Sequence, residues 1–233
     1  MKPKYAKMPP PPKTEEDRLR LRIFGGSLPK GVGKQVLGLQ VRSRKRKKFT
    51  TYRGTIGHIA PNRLERDFKA TVPNQKWVTD ITEFKAKDGG KVYLSPILDL
   101  FNNEIVAFNL NNSPNWAQVE SKLKMAIKCQ NKTKGVILHS DQGRQYQMGA
   151  YRRILAEQGI IQRMSRKGNC LDNAAMKSFF GRLKMEWFYK REFKPKEEIV
   201  EAVRDYLDYY NHRRIQLKLK GLSPIQYRCQ SLN

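Results

Sequence analysis

Between Trp77 and Leu110 the chain runs through three stretches rich in β-branched and alternating apolar residues, with only tight turns between them. The first, Trp77-Val-Thr-Asp-Ile-Thr-Glu-Phe84, reads as one strand. Asp88-Gly-Gly90 turns into a second over residues 92–100, and Phe101-Asn102-Asn103 turns into a third over residues 104–110. Strands joined this tightly form an antiparallel meander, which already excludes an all-helical or an all-parallel fold.

Helices and short strands alternate from there on. Asn112-Ser113-Pro114 predicts a helix start, and Val119, Leu123, Ala126 and Ile127 supply its buried stripe. A short strand is expected at residues 135–139, a helix at 150–158 and another short strand at 160–164. Residues 172–189 read as a helix with Met176, Phe179, Phe180, Leu183 and Trp187 on its apolar side. A last helix begins near Pro195, where Glu197 and Glu198 favour its positive end. The order predicts an α/β fold over residues 76–228: a mixed five-stranded sheet with helices against its faces, resembling the ribonuclease-H-like arrangement.

The region ahead of this has a different texture. Residues 1–75 hold 19 Lys and Arg against 5 Asp and Glu, and contain the run Pro9–Pro12, after which Gly25, Gly26, Gly31 and Gly33 punctuate the chain. We expect residues 1–48 to be basic and partly disordered and 49–75 to be a linker. Arg42, Arg44, Lys45, Arg46, Lys47 and Lys48 place six positive charges within seven residues, a block that cannot bury itself and suits phosphate contact. The whole chain of 233 residues carries a net charge of +26, which repels itself unless a polyanion neutralises it, and nucleic acid is the polyanion expected. The three cysteines are widely spaced and form no C-x-x-C pair, so neither a disulfide framework nor a zinc site is indicated. No apolar run approaches ~18 residues, so no membrane partner is expected, and a cytoplasmic, nucleoid-associated location follows.

Two acids stand where chemistry is to be expected. Asp80 sits within the first strand, where a carboxylate is costly without a cation or donors to meet it. Asp141 directly follows the strand at 135–139, at the edge of the sheet where side chains converge. Hard divalent ions such as Mg²⁺ take oxygen ligands of this kind. Taken alone, either aspartate could equally be a turn cap or a surface residue.

The surrounding words are more specific. Lys76-Trp-Val-Thr-Asp80-Ile-Thr, His139-Ser-Asp141-Gln-Gly-Arg-Gln-Tyr146, Ser165-Arg-Lys-Gly-Asn-Cys-Leu-Asp-Asn-Ala-Ala-Met176 and Tyr210-Asn-His-Arg-Arg-Ile215 with Leu222-Ser-Pro224 occur in order. In these words the chain resembles the catalytic subunits of bacterial insertion-sequence transposases, whose core is shared with retroviral integrases. The resemblance spans about residues 36–228. It implies DNA cleavage and strand transfer, with two Mg²⁺ or Mn²⁺ ions held by two aspartates and a glutamate. It also implies element ends and target DNA as partners, and a homo-oligomer on DNA. Asp80 and Asp141 match the two aspartates. The glutamate belongs where 35 residues separate it from the second aspartate, and there the chain has Lys177. Neither Asp172, Glu83 nor Glu186 shares a face with that position, so no acid replaces it.

An ammonium cannot ligate a metal, so reduced ion occupancy and impaired catalysis are expected here. The competing expectation is a catalytically dead DNA-binding remnant or a co-assembly partner of an active transposase. A basic structural protein of an RNA assembly would leave the ordered acid motifs unexplained. Lys184 returns to the face of Lys177 after two helical turns, and the resemblance assigns DNA contact to that offset. Arg166 and Lys167, in a glycine-containing loop, and Arg213 and Arg214, at the end of the last helix, are further expected DNA holders. His139 and His212 are expected to orient neighbours. Residues 19–34 do not resemble the helix-turn-helix-like segment that precedes the basic run in such transposases, as a shortened or frame-altered front end would produce. The histidines are too scattered for the zinc module that opens retroviral integrases.

Overall fold

The computed structural model describes residues 69–130, 133–165 and 173–232, all within the unit Thr50–Asn233. The expectations for residues 1–48, for most of the linker and for the loop bearing Arg166 and Lys167 lie outside the described residues. The chain forms β1 (Lys76–Thr79), β2 (Thr82–Lys85), β3 (Lys91–Asp99), β4 (Ile105–Asn111), α1 (Trp116–Cys129), β5 (Ile137–Ser140), α2 (Gly149–Glu157), β6 (Ile161–Met164), α3 (Ala174–Glu186), α4 (Lys196–His212) and α5 (Pro224–Leu232).

The six strand segments make one mixed sheet, in which β3 pairs antiparallel with β1, β2 and β4 and β5 pairs parallel with β1 and β6. β1 and β2 lie along the same edge of β3 in one register, Thr79 opposite Ile97 and Thr82 opposite Leu94. They are therefore the single strand expected from the sequence, interrupted at Asp80 and Ile81, and the sheet has five lanes. The interruption has a local cause. Leu100 donates its N–H to the Lys76 carbonyl at 2.9 Å, so every second residue back along β3 faces the same way. Pro96 is one of these, opposite Asp80 in the shared register, and proline has no N–H to give. The ladder opens where the first aspartate stands.

Helices cover both faces. Val78, Phe84, Leu94 and Leu98 pack with Met176, Phe179 and Leu183 of α3 and Ile199, Val203 and Tyr206 of α4. Trp77, Ile97 and Leu138 pack with Val119, Leu123 and Ala126 of α1 and Tyr151 and Leu155 of α2. The alternation of Trp77, Val78 and Thr79 in β1 is what feeds the two cores.

Two boundaries differ from the sequence reading. α1 starts at Trp116, because Asn115 rather than Asn112 caps it, its side chain accepting from the Gln118 N–H at 3.0 Å. α5 was not anticipated. Its signal is Ser223-Pro-Ile-Gln226, a capping box in which Ser223 N donates to Gln226 Oε1 at 3.0 Å and Gln226 N to Ser223 Oγ at 3.4 Å. Among the described residues no helix is long and apolar enough to cross a membrane.

The end of α3 is tied to the end of α4. Arg214 grips Glu186 with two donors, Nε at 2.8 Å from Oε2 and one terminal nitrogen on Oε1, and the Tyr206 hydroxyl donates to Oε2 at 2.9 Å. Burial alone would raise the Glu186 carboxyl, but Arg214 and Tyr206 outweigh it and hold the group below its ordinary value of 4.5. The stabilisation is therefore complete above the usual carboxylate range and disappears as pH falls through the depressed value. Arg214→Ala is expected to cost about 2 kcal/mol near pH 7, allowing for partial screening. Urea denaturation of the two forms should show that difference shrinking below about pH 4; a pH-independent difference would assign Arg214 to packing alone.

Candidate active site

β1 and β5 are parallel neighbours with Trp77 beside Leu138 and Val78 beside His139. Continued by two residues, that register sets Asp80 beside Asp141, and adjacent strands stand only about 4.8 Å apart. Each carboxylate is pinned by its own backbone. Asp80 Oδ1 accepts from the Ile81 N–H at 2.8 Å, and Asp141 Oδ1 from the Gly143 N–H at 2.9 Å. A Cβ at Gly143 would stand 2.9 Å from both Asp141 Oδ1 and Gln145 Nε2, so a larger residue there would displace those side chains.

Both acids are partly buried, and loss of solvent is the largest influence on each. Burial and then the Asp141 charge push Asp80 up to about 7, against the Ile81 N–H, Lys177 and Lys122. Burial likewise raises Asp141, opposed by the Gly143 N–H, Lys122 and Lys177. Two lysines thus act on both carboxylates.

Lys177 arrives on α3, one turn into the helix. The buried Asn173 fixes the start of α3 by donating from Nδ2 to the Thr79 carbonyl at 3.1 Å, next to Asp80. Asp80, Asp141 and Lys177 thus lie close enough for the lysine to act on both acids. Lys184 lies further along α3, where its Nζ donates to the Glu83 carbonyl at 3.1 Å and stands 5.2 Å from the centre of the Phe84 ring. Arg213 is exposed, with Asp208 Oδ2 at 3.2 Å and the Tyr209 ring beneath it. Arg214 is already committed to Glu186 within the fold. His139 Nε2 is 3.0 Å from Ser165 Oγ and His212 Nδ1 3.1 Å from the Asp208 carbonyl, positions suited to orienting neighbours.

Sequence reading passed over Lys122, Asn173 and Tyr146. Lys122 lies in the buried arc of α1 beside Val119, Leu123 and Ala126, which is the signal that could have found it. Its Nζ donates to Thr79 Oγ1 at 2.6 Å and Ser95 Oγ at 2.7 Å and stands 5.4 Å from the centre of the Tyr146 ring.

Two adjacent carboxylates that repel each other suit one hard divalent ion. They do not suit two. Among the described residues no group of three or more acid, histidine or cysteine side chains is placed to hold a metal. Glu186 is taken by Arg214, and Glu83 is exposed and engaged by the Tyr93 hydroxyl at 2.7 Å and Lys91 at 3.2 Å.

Comparison with known proteins agrees with this geometry. Integrase core domain family models match residues 70–170 and 177–232. An uncharacterized transposase-like protein of Haemophilus influenzae is 57% identical over 199 residues, covering 85% of this chain and 91% of that one. A putative transposase for insertion sequence element IS150 of Escherichia coli K12 is 56% identical over 187 residues, covering 80% of this chain and 66% of that protein's length. In fold, the chain is similar to the integrase catalytic core domain of HTLV-2, solved in complex with magnesium. That match has a TM-score of 0.55 at 16% identity, over 69% of this chain and 99% of the other. A simian T-cell lymphotropic virus intasome structure matches with a TM-score of 0.54 at 20% identity, over 73% of this chain and 56% of that one. The chain belongs to the insertion-sequence transposases with an integrase-type catalytic core.

Proposed function

We propose that this chain is built as the DNA-cleaving and strand-joining subunit of a transposition system, and that Lys177 impairs the chemistry while leaving DNA binding in place. The observation that carries the reading is the acid pair Asp80 and Asp141 on adjacent strand ends, with an ammonium acting on both from the position of the expected third acid. A divalent ion bound to the two aspartates would supply Lewis-acid polarisation of phosphodiester oxygens. A second ion would find no third carboxylate and would meet a like charge, which at close range in a half-dry site costs several kcal/mol.

The chain's own residues have separate tasks in this reading. Asp80 and Asp141 present oxygens at the sheet edge, and Asn173 fixes α3 over them. Lys184 and Arg213 on the surface, together with Arg166, Lys167 and the run Arg42 to Lys48, hold phosphates of element-end and target DNA. Joining two ends calls for more than one copy, so a homo-oligomer assembled on DNA is part of the proposal. A second reading, favoured by Lys177 itself, is a non-catalytic DNA-binding partner that assembles with active relatives.

Donor cleavage and strand transfer with Mg²⁺ or Mn²⁺ should be at least about a hundredfold faster for Lys177→Glu than for the unmodified chain, the scale of one missing electrostatic stabiliser. Equal and robust activity of the lysine form would overturn the impairment. In gel shifts the unmodified chain should bind DNA with a steep salt dependence. Neutralising Arg42, Arg44, Lys45, Arg46, Lys47 and Lys48 should flatten the log–log slope by about 0.9 for each phosphate that no longer meets a cation. An unchanged slope would remove that run from the interface.

A further inference from the structure

Helix α1 turns Gln118, Val119, Lys122, Leu123 and Ala126 toward the sheet, and Lys122 is the charged member of that face, only 1% exposed. Its ammonium enters from the α1 side, the face opposite α3 and Lys177. It lodges behind the break between β1 and β2. One partner, Thr79, immediately precedes Asp80; the other, Ser95, lies opposite Ile81 in the shared register. Thr79 Oγ1 is held in turn by donating to the Pro96 carbonyl at 2.7 Å.

Two hydroxyls and an aromatic face do not offset the desolvation of an ammonium, which costs several kcal/mol in a protein interior. A Met or Leu would fill the same site beside Leu123 without that cost. The pair of carboxylates beyond Thr79 offsets part of that cost. Burial pushes Lys122 down to about 7, and Asp80 and then Asp141 are the groups that oppose the shift. The relation is mutual, since Lys122 acts in the stabilising direction on both acids.

We propose that Lys122 is a positioning residue of the candidate active site: a built-in counter-cation, entering from the α1 face, that helps keep Asp80 and Asp141 together when no metal ion is bound. This rests on reading Asp80 and Asp141 as one acid pair, and it requires neither metal nor DNA. With Lys177 on the opposite side, the four groups are formally neutral.

The test is a double-mutant cycle on the full chain, in chelator, by urea denaturation. Lys122→Met removes the charge and keeps the bulk; Lys122→Gln removes the charge and keeps a donor for Thr79 and Ser95. Each is measured alone and combined with Asp80→Asn and with Asp141→Asn. The expected result is non-additivity: the rise in the unfolding constant caused by either Lys122 variant is about tenfold smaller once a carboxylate has been neutralised. If Lys122→Met alone does not fold, recovery of a folded chain on adding Asp141→Asn or Asp80→Asn supports the proposal equally. Equal losses with and without the carboxylates, for both Met and Gln, would overturn it and reduce Lys122 to a packing and hydrogen-bonding role. Because no metal or DNA is present, an inactive Lys177→Glu chain would leave this inference standing, and an additive cycle would leave the cleavage reading standing.

Discussion

Mutual repulsion between Asp80 and Asp141 is the constraint around which the rest of the site is arranged. The parallel pairing of β1 with β5 makes them register neighbours, and the cores on both faces of the sheet hold that pairing in place. At the spacing of adjacent strands, two like charges in a half-dry environment repel by about 3 kcal/mol. The chain meets this with one backbone N–H on each carboxylate and with a lysine from each side of the sheet. Burial still raises both carboxyls, Asp80 to about 7.

The geometry that makes room for this arrangement comes from a residue without a functional group. Pro96 withholds one of the two ladder hydrogen bonds that would tie Asp80 into a continuous strand. The opening lets the Asp80 carboxylate fold back onto the Ile81 N–H, and it leaves Thr79 and Ser95 facing the Lys122 ammonium. On the other face, Asn173 fastens α3 to the carbonyl of Thr79, which brings Lys177 within reach of both acids. Strand break, buried lysine and helix anchor all act at Thr79 and Asp80, so the site is determined by a few interactions around one residue pair.

Much of this was legible in the sequence. The meander over residues 77–110, the helix–strand alternation after it and the apolar faces of α3 and α4 follow from local periodicity, which local residues set. Asp80, Asp141 and Lys177 were found from ordered motifs and one spacing. What was missed depends on partners distant in sequence. The break at Asp80 is caused by Pro96, visible only once the register with β3 is known. Lys122 falls within the apolar arc of α1, which marks it as buried, but only Thr79 and Ser95 on two different strands show what meets its ammonium. Arg214 reads as a phosphate holder until Glu186, 28 residues earlier, is found beneath it. The capping box of α5 was available in the sequence and was overlooked; Asn112 drew the start of α1 three residues early because Asn115 offers the same side chain closer to the helix.

The chain belongs to the insertion-sequence transposases, and in the reading proposed above it carries their catalytic core with one charge reversed at Lys177. A third carboxylate would make the site a strong attractor for two dications; a lysine there, with Lys122 behind, closes the charge internally. The most direct measurement is the number of Mn²⁺ ions bound per chain at saturation, by calorimetric titration, for the unmodified protein and for Lys177→Glu. The account predicts at most one ion for the unmodified chain and two for Lys177→Glu. Two ions bound to the unmodified chain, with Asp80→Asn abolishing both, would contradict it.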